Sequence, residues 1–299
     1  MKHSRVSSAV SLDTFSQGYQ RLDKDSGFHK AKPFVKWAGG KRQLLPELRK
    51  RIPVSFNRYF EPMIGGGALF FDVAPGYGVL ADVSEELMNA YVVIKEDVEE
   101  LIEHLRRHEH SEEYFYRIRN VDRSDGFRHW SNLERASRLL YLNKTCFNGL
   151  YRENSKGEFN TPFGNYKNPT IVDPENLRAC SRLLQTTALM LGSFENVLAT
   201  AEQGDFVYFD PPYVPLNRTS SFTSYNKGGF GEETQIALAE VCRGLDAKGV
   251  RFMLSNSHTP FVLEHYKDFL IEEVEASRAI NSRSEKRGRI KEVLVRNYS

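Results

Sequence analysis

Cysteine is scarce in this chain of 299 residues: Cys146, Cys180 and Cys242 lie far apart and form no C-x-x-C pair. A disulfide framework and a zinc ribbon are therefore not indicated, and a reducing compartment suits the chain. Long apolar runs are also missing. Nothing approaches the roughly 20 residues that span a bilayer, and the N-terminus has no apolar signal core, so a soluble, cytoplasmic protein is expected. A charge excess of one sign is lacking too, since 41 Lys and Arg stand against 39 Asp and Glu for a net +2. His104, His108 and His110 sit in a charge-rich helical stretch with no ligand partner in view. They are read as a solvated helix face, and no metal site is assigned. What remains is an ordinary globular composition, 40% hydrophobic and 27% charged, long enough for one large domain or a domain with an insertion.

The order of patterns along the chain predicts an α/β fold. Residues 1–31 are polar with weak periodicity and are expected to be a flexible N-terminal extension. From Arg58 the chain runs strand (Tyr59-Phe60), glycine turn (Gly65-Gly66-Gly67), helix (Ala68 to Val73) and strand (Val79 to Ala81), the last ending at Asp82: a β-α-β unit. Helical spacing then dominates from Glu85 to Leu184, interrupted by a Gly, Asn and Pro-rich passage at 148–169. Strand-like runs return at Ala188 to Leu191, Phe206 to Phe209, Val250 to Leu254 and Glu292 to Val295, with a helix between Glu232 and Leu245. One domain is therefore expected over 32–84 and 185–299, interrupted by a mostly helical insertion at 85–184. The segment from Arg278 to Arg296 holds seven basic residues and two acids, which suits either a phosphate-contacting edge or a solvated hairpin.

Chemistry concentrates at Asp210-Pro211-Pro212-Tyr213, directly after the apolar run Phe206 to Phe209. The prolines stop the strand at the edge where open α/β sheets bind ligands, leaving a carboxylate and an aromatic ring beside it. The acid and a neighbouring backbone carbonyl can accept the hydrogens of an exocyclic amine while the ring stacks on its heterocycle, which describes an adenine or cytosine pocket. A bare tetrapeptide of this kind would also end a strand in a Pro-rich turn with a half-buried Tyr. The glycine turn and Asp82 suggest a nucleoside-containing cofactor, but a packing turn with an N-capping Asp has the same letters.

Taken together, Phe34-Val35-Lys36-Trp37-Ala38-Gly39-Gly40-Lys41, Phe60-Glu61-Pro62-Met63-Ile64-Gly65-Gly66-Gly67 and the D-P-P-Y resemble, in order and spacing, the Dam-type (D12 class) DNA adenine N6-methyltransferases. The likeness continues through Leu142 to Arg152, Gly157 to Gly164 and Ser255-Asn256-Ser257, and covers about 32–298. It implies a Rossmann-like S-adenosylmethionine-dependent methyltransferase sheet whose inserted, mostly helical domain recognises DNA. It assigns Trp37, Ala38, Gly39, Lys41, Glu61, Gly65, Gly67 and Asp82 to S-adenosyl-L-methionine. Met63 and Gly66 stand where some relatives have Phe and Ala, a change a turn tolerates. Asp210, Pro211, Pro212 and Tyr213 are the implied catalytic residues, acting on an adenine flipped from the duplex.

In the same resemblance Lys36, Phe147, Asn148, Leu150, Arg152 and Pro162 match DNA-contacting positions, with Phe147 as a wedge and Arg152 bidentate on a guanine, and the implied target is GATC. An Asn-Gly hairpin over a buried Phe is the purely structural alternative. Double-stranded DNA is the implied partner of a bacterial or phage-encoded enzyme, nucleoid-associated when bound, and the family admits a cognate restriction endonuclease acting on the same site. Two alternatives keep the fold: an amino-methyltransferase acting on cytosine or RNA, against which Asp rather than Ser in D-P-P-Y argues, and a catalytically silent DNA-binding regulator.

Overall fold

The computed structural model describes residues 19–20, 30–214, 230–277 and 289–299, without the side chains of 19–20, 276–277 and 289–290. β1 (Tyr19–Gln20) pairs antiparallel with β2 (Ser55–Phe56); most of the expected extension, and Arg278, Arg283, Lys286 and Arg287 of the basic segment, lie outside the described residues.

The central strands are the ones with no polar face. β3 (Tyr59–Glu61) and β6 (Phe206–Phe209) are buried at every position, and β7 (Arg251–Ser257) at all but its first. Such runs belong in the middle of a sheet covered on both sides. Their side chains alternate between two layers. Tyr59, Phe206, Tyr208 and Met253 pack with Leu80 and with residues of α2 (Ala68–Val73) and α3 (Glu85–Glu96). Phe60, Val207, Phe209, Phe252 and Leu254 pack against α9 (Glu232–Ala247) and α10 (Pro260–His265).

The sheet has seven strands in the order β5 (Thr187–Leu191), β4 (Gly78–Asp82), β3, β6, β7, β9 (Arg289–Arg296), β8 (Leu270–Ser277). Neighbours from β5 to β7 are parallel, and β9 runs antiparallel to both β7 and β8. This is the expected Rossmann-like methyltransferase sheet. From β3 the chain builds outward on one side through β4 and β5, then crosses to the other through β6 and β7. The switch point thus lies between β3 and β6, and a crevice opens beyond their carboxyl ends.

Two details differ from the expected strands. Ser255, Asn256 and Ser257 prolong β7, although they are polar, because each is buried and bonded beneath the D-P-P-Y segment. β8 was not anticipated at all: its Glu272, Glu273 and Glu275 mask the apolar alternation, and such acids suit an edge strand that must not pair further. These acids also take up basic residues of the C-terminal segment. Lys291 bonds Glu273 at 2.7 Å and Arg296 pairs with Glu272.

Between β4 and β5 lie α3, α4 (Val98–Leu105), α5 (Glu112–Asn120), α6 (Asn132–Thr145) and α7 (Pro174–Leu184). Leu87, Tyr91, Leu140 and Leu177 belong to the same apolar cluster as the sheet, whereas Phe115, Tyr141, Leu142, Cys146 and Phe159 form a smaller one. α6 starts at a Ser131–Glu134 capping box, which satisfies two orphan donors and fixes where the helix begins.

Candidate active site

Asp210 follows the last residue of β6, beside the switch point. Its Oδ1 accepts from Lys41 Nζ at 2.7 Å and from Ser255 Oγ at 3.1 Å, and Ser255 also bonds the Tyr208 hydroxyl at 3.1 Å. Oδ2 has no hydrogen-bond partner among the described residues. Burial pushes the Asp210 carboxyl above the usual range, while the Lys41 ammonium and the Ser255 hydroxyl pull it back. The Lys41 ammonium also lies 4.3 Å from the centre of the Tyr213 ring, whose hydroxyl donates to Glu292 Oε2 at 2.8 Å.

The loop beyond Asp210 is braced from beneath. Asn256, fully buried at the end of β7, accepts from Val214 N at 3.3 Å and donates to Gln235 Oε1 at 3.1 Å; Gln235 in turn donates to the Pro212 carbonyl at 2.7 Å. Ser257 Oγ donates to the Val214 carbonyl at 2.7 Å. Buried amides with both ends satisfied hold a backbone rigidly, so the two prolines are not the only restraint on this turn.

Glu61 ends β3, the neighbour of β6. It is buried, accepts from the Tyr59 hydroxyl at 2.6 Å, and burial pushes its carboxyl up to about 8, with Asp210 adding to the rise. It therefore keeps its proton near neutral pH. Asp82 ends β4 and accepts from Gly65 N and Ser84 N, both at 3.0 Å, so it fastens the glycine turn to the strand end.

The turn itself needs glycine. Gly65 and Gly67 have φ of +48° and +67°, and a Cβ on Gly67 would fall 2.8 Å from the Tyr91 hydroxyl, which bonds the Gly65 carbonyl. Across from it, Trp37 is half-buried and Ala38 and Gly39 are exposed, while Lys41 is buried down to its ion pair.

The remaining expected residues lie on a hairpin-like excursion from 146 to 164. Isolated bridges join Cys146 to Phe163 and Glu153 to Phe159, and Phe147 N donates to the Pro162 carbonyl at 2.9 Å. Phe147 is 54% exposed, which is unusual for a ring that a structural hairpin would bury. Asn148 adopts a left-handed conformation, φ +57°, and Asn148, Arg152 and Pro162 are exposed while Leu150 is half-buried. Arg152 Nε donates to Asn160 Oδ1 at 2.7 Å. Lys36 stands at the junction of both groups, its ammonium 5.7 Å from the Tyr166 ring.

The structure therefore gathers Asp210 to Tyr213, Lys41, Glu61 and Asp82 along one sheet edge and sets Phe147, Asn148, Arg152 and Pro162 on a separate projection. Sequence reasoning gave no role to Gln235, Asn256, Tyr91 or Asn143. Their chain neighbours give little signal, since Lys144 follows Asn143, Thr234 precedes Gln235, and Ser255 and Ser257 flank Asn256.

A Rossmann-like sheet carrying an acid, two prolines and an aromatic ring beyond its fourth strand defines a methyltransferase that acts on an amino group. More narrowly, the chain belongs to the D12 class N6 adenine-specific DNA methyltransferases, whose family pattern matches residues 37–280. It is 49% identical over 271 residues to the Type II methyltransferase M1.LlaDCHI of Lactococcus lactis subsp. cremoris, covering 89% of this chain and 95% of that one. It is 42% identical to the Type II methyltransferase M.MjaIII of Methanocaldococcus jannaschii, over 89% of this chain and 99% of the relative. Against the DNA adenine methylase of Escherichia coli K12 the identity is 33%, with 89% and 95% covered. The reaction is thus N6 methylation of adenine in DNA, which sets aside the cytosine, RNA and silent-regulator alternatives. Among the described residues no helix is long and apolar enough to cross a membrane.

Proposed function

We propose that the chain transfers the methyl group of S-adenosyl-L-methionine to the amino nitrogen of an adenine turned out of double-stranded DNA, at the sequence GATC. The observation that carries this reading is the half-satisfied carboxylate of Asp210. Oδ1 is held by Lys41 and Ser255, and Oδ2 is left for an amine hydrogen. With Gln235 on the Pro212 carbonyl, the Pro211 carbonyl takes the second hydrogen. Accepting both hydrogens draws the nitrogen lone pair out of conjugation with the ring and aims it away from the two acceptors. Burial raises the Asp210 carboxyl, and Lys41 and Ser255 oppose that rise, favouring the ionised form that accepts best. Tyr213 stacks on the base, with its hydroxyl tethered to Glu292.

The residues fit a nucleoside-bearing donor. Exposed backbone at Ala38 and Gly39, the Trp37 ring, a turn opened by Gly65 and Gly67, and the carboxyls of Glu61 and Asp82 at adjacent strand ends supply a ring face, N–H groups and acceptors for hydroxyl and amino hydrogens. When bound, the cofactor supplies an electrophilic methyl on a sulfonium, so the protein's own task is alignment and exclusion of water. On the hairpin, Phe147 wedges between bases, Arg152 reads a guanine, Asn148, Leu150 and Pro162 contact neighbouring bases, and Lys36 reaches DNA from the cofactor side. The inserted segment 85–184 is the recognition domain in this reading. A restriction endonuclease cutting the same site is the partner that the Type II names of two relatives suggest.

The test is to map methylated adenines in DNA treated with the purified protein, beside Asp210→Ala. Methylation confined to GATC is expected, with turnover in the variant reduced on the order of 100- to 1000-fold, the usual effect of deleting one aligned hydrogen-bonding group. Methylation at another sequence would remove the GATC assignment. Near-normal turnover in the variant would remove Asp210 from its role.

A further inference from the structure

We infer that Asn143 is a positioning residue that couples the cofactor side of the site to the DNA-reading hairpin, so that methyl-donor binding and DNA recognition strengthen one another. The inference rests on the functional reading above, because it takes the two sides to bind those two ligands.

Asn143 is fully buried near the end of α6. Its amide accepts from Lys36 N at 2.8 Å, donates to the Lys36 carbonyl at 2.8 Å, and donates to the Gly149 carbonyl at 3.1 Å. An Asn amide has two donors and one acceptor oxygen, so both hydrogens and the oxygen are used. The Lys36 peptide groups are thus paired as a strand neighbour would pair them, and the third bond ties the same amide to the hairpin base. Gly149 has φ +65°, and a Cβ there would lie 2.5 Å from Lys36 Cδ. The positive φ favours glycine, and the base of the hairpin packs directly on the Lys36 side chain and the Asn143 carbonyl, with Lys36 Cβ and Asn143 O each 3.2 Å from such a Cβ.

A second tie lies alongside. Trp37 stacks on Tyr151 with ring centroids 5.2 Å apart and planes within 18°. On one side of this junction, Lys41 is four residues beyond Trp37 and holds Asp210 at 2.7 Å. On the other, Gly149 and Tyr151 alternate with the hairpin residues Asn148, Leu150 and Arg152. A shift of the hairpin on DNA therefore reaches Asp210 through the backbone from Lys36 to Lys41, clamped by one amide and one ring stack. A buried Asn that served only to satisfy stray peptide groups would need no partners on both Lys36 and Gly149, one from each side of the site.

Coupling of this kind is a ratio of affinities and is reciprocal. The experiment measures binding of a duplex containing GATC with and without saturating S-adenosylhomocysteine, which cannot react, in the wild type, Asn143→Ala and Tyr151→Leu. In the wild type the compound should tighten DNA binding by about 5- to 150-fold, the usual span of such coupling. In Asn143→Ala that ratio should fall to within about twofold of unity, even where both separate affinities change little. Tyr151→Leu keeps an apolar side chain, loses the stack and should lower the ratio part of the way, which provides an answer even where Asn143→Ala does not fold. A merely structural Asn143 would weaken both ligands and leave the ratio standing. An unchanged ratio in either folded variant, or a ratio of one in the wild type, overturns the coupling while leaving methylation of GATC intact. A wild type that binds neither ligand overturns the functional reading itself.

Discussion

The carboxyl edge of the sheet and the hairpin at 146–164 are built on opposite plans. At the edge the three acids are recessed; Asp210 is fastened by Ser255 of neighbouring β7 and Asp82 by Gly65 beyond neighbouring β3, while Glu61 is held by Tyr59 of its own strand. The parallel register fixes these distances before any ligand arrives. On the hairpin, the side chains that matter point outward, two isolated bridges replace a ladder, and rigidity comes from beneath. Methyl transfer is helped by groups that do not need to reorganise, whereas reading a duplex requires side chains that can reach it. If that contrast is right, damage to the two regions should register in different measurements.

The largest effect is expected below the hairpin. Arg138 is buried on α6, and its guanidinium donates to Asp122 Oδ2 at 2.7 Å and to the carbonyls of Ile118 and Arg119. The same Asp122 oxygen accepts from Phe159 N at 2.7 Å, so one carboxylate holds the returning arm of the hairpin to the helix. Asp122→Ala should cost about 3–5 kcal/mol, since it leaves a buried cation without its partner. The unfolding midpoint in denaturant measures this, and recognition should suffer with it. A midpoint within error of the wild type would mean that the hairpin is held by its apolar cluster alone.

How much of this was legible in the sequence follows the same division. The edge was readable because β3 and β6 are continuous apolar runs, and a run that ends in Glu61 or Asp210 announces both a strand and the place where it stops. The helix Ala68–Val73 fell where its pattern put it, bounded by left-handed Gly67 and Ala74. β8 was hidden because edge strands need no uninterrupted apolar face. The braces were hidden for a different reason. Gln235, Asn256 and Asn143 act through partners up to 107 residues away, and no local period carries that information. The same is true of the ion pair of Lys41: the resemblance assigns Lys41 to the cofactor, and only the fold brings it onto Asp210.

A smaller effect separates the regions by pH. His108, beneath the hairpin side, bonds the Tyr114 hydroxyl through Nδ1 at 2.8 Å and Ser137 Oγ through Nε2 at 2.9 Å, and stacks on Tyr141 at 4.4 Å. Burial, and then the neighbouring His104, push it down from 6.5 to about 4. Between those values the unfolded chain binds a proton that the folded chain refuses. Stability is therefore complete above about pH 6.5 and is lost as the pH falls toward 4, by up to about 3 kcal/mol. His104, lowered by burial and by Arg107, adds in the same direction. His108→Gln should flatten this part of the profile of stability against pH. An equally steep profile in the variant would place the acid sensitivity elsewhere.

The smallest effect should be the most selective. Arg152 is exposed, and among the described residues its one side-chain hydrogen bond runs from Nε to Asn160 Oδ1, which orients the guanidinium and leaves its terminal nitrogens to meet a base edge. A bidentate contact to guanine contributes about 1–3 kcal/mol to choosing the right base. Arg152→Ala should therefore relax discrimination at one guanine of the site by about that amount, while the unfolding midpoint and binding of the methyl donor stay near the wild type. Asn160→Ala, which frees the guanidinium without removing it, should have the same effect at a fraction of the size. The measurement is methylation of GATC against duplexes altered at one base pair. A uniform loss over all duplexes would make Arg152 a phosphate contact, and an unchanged ranking of the altered sites would mean that other residues of the hairpin read the sequence.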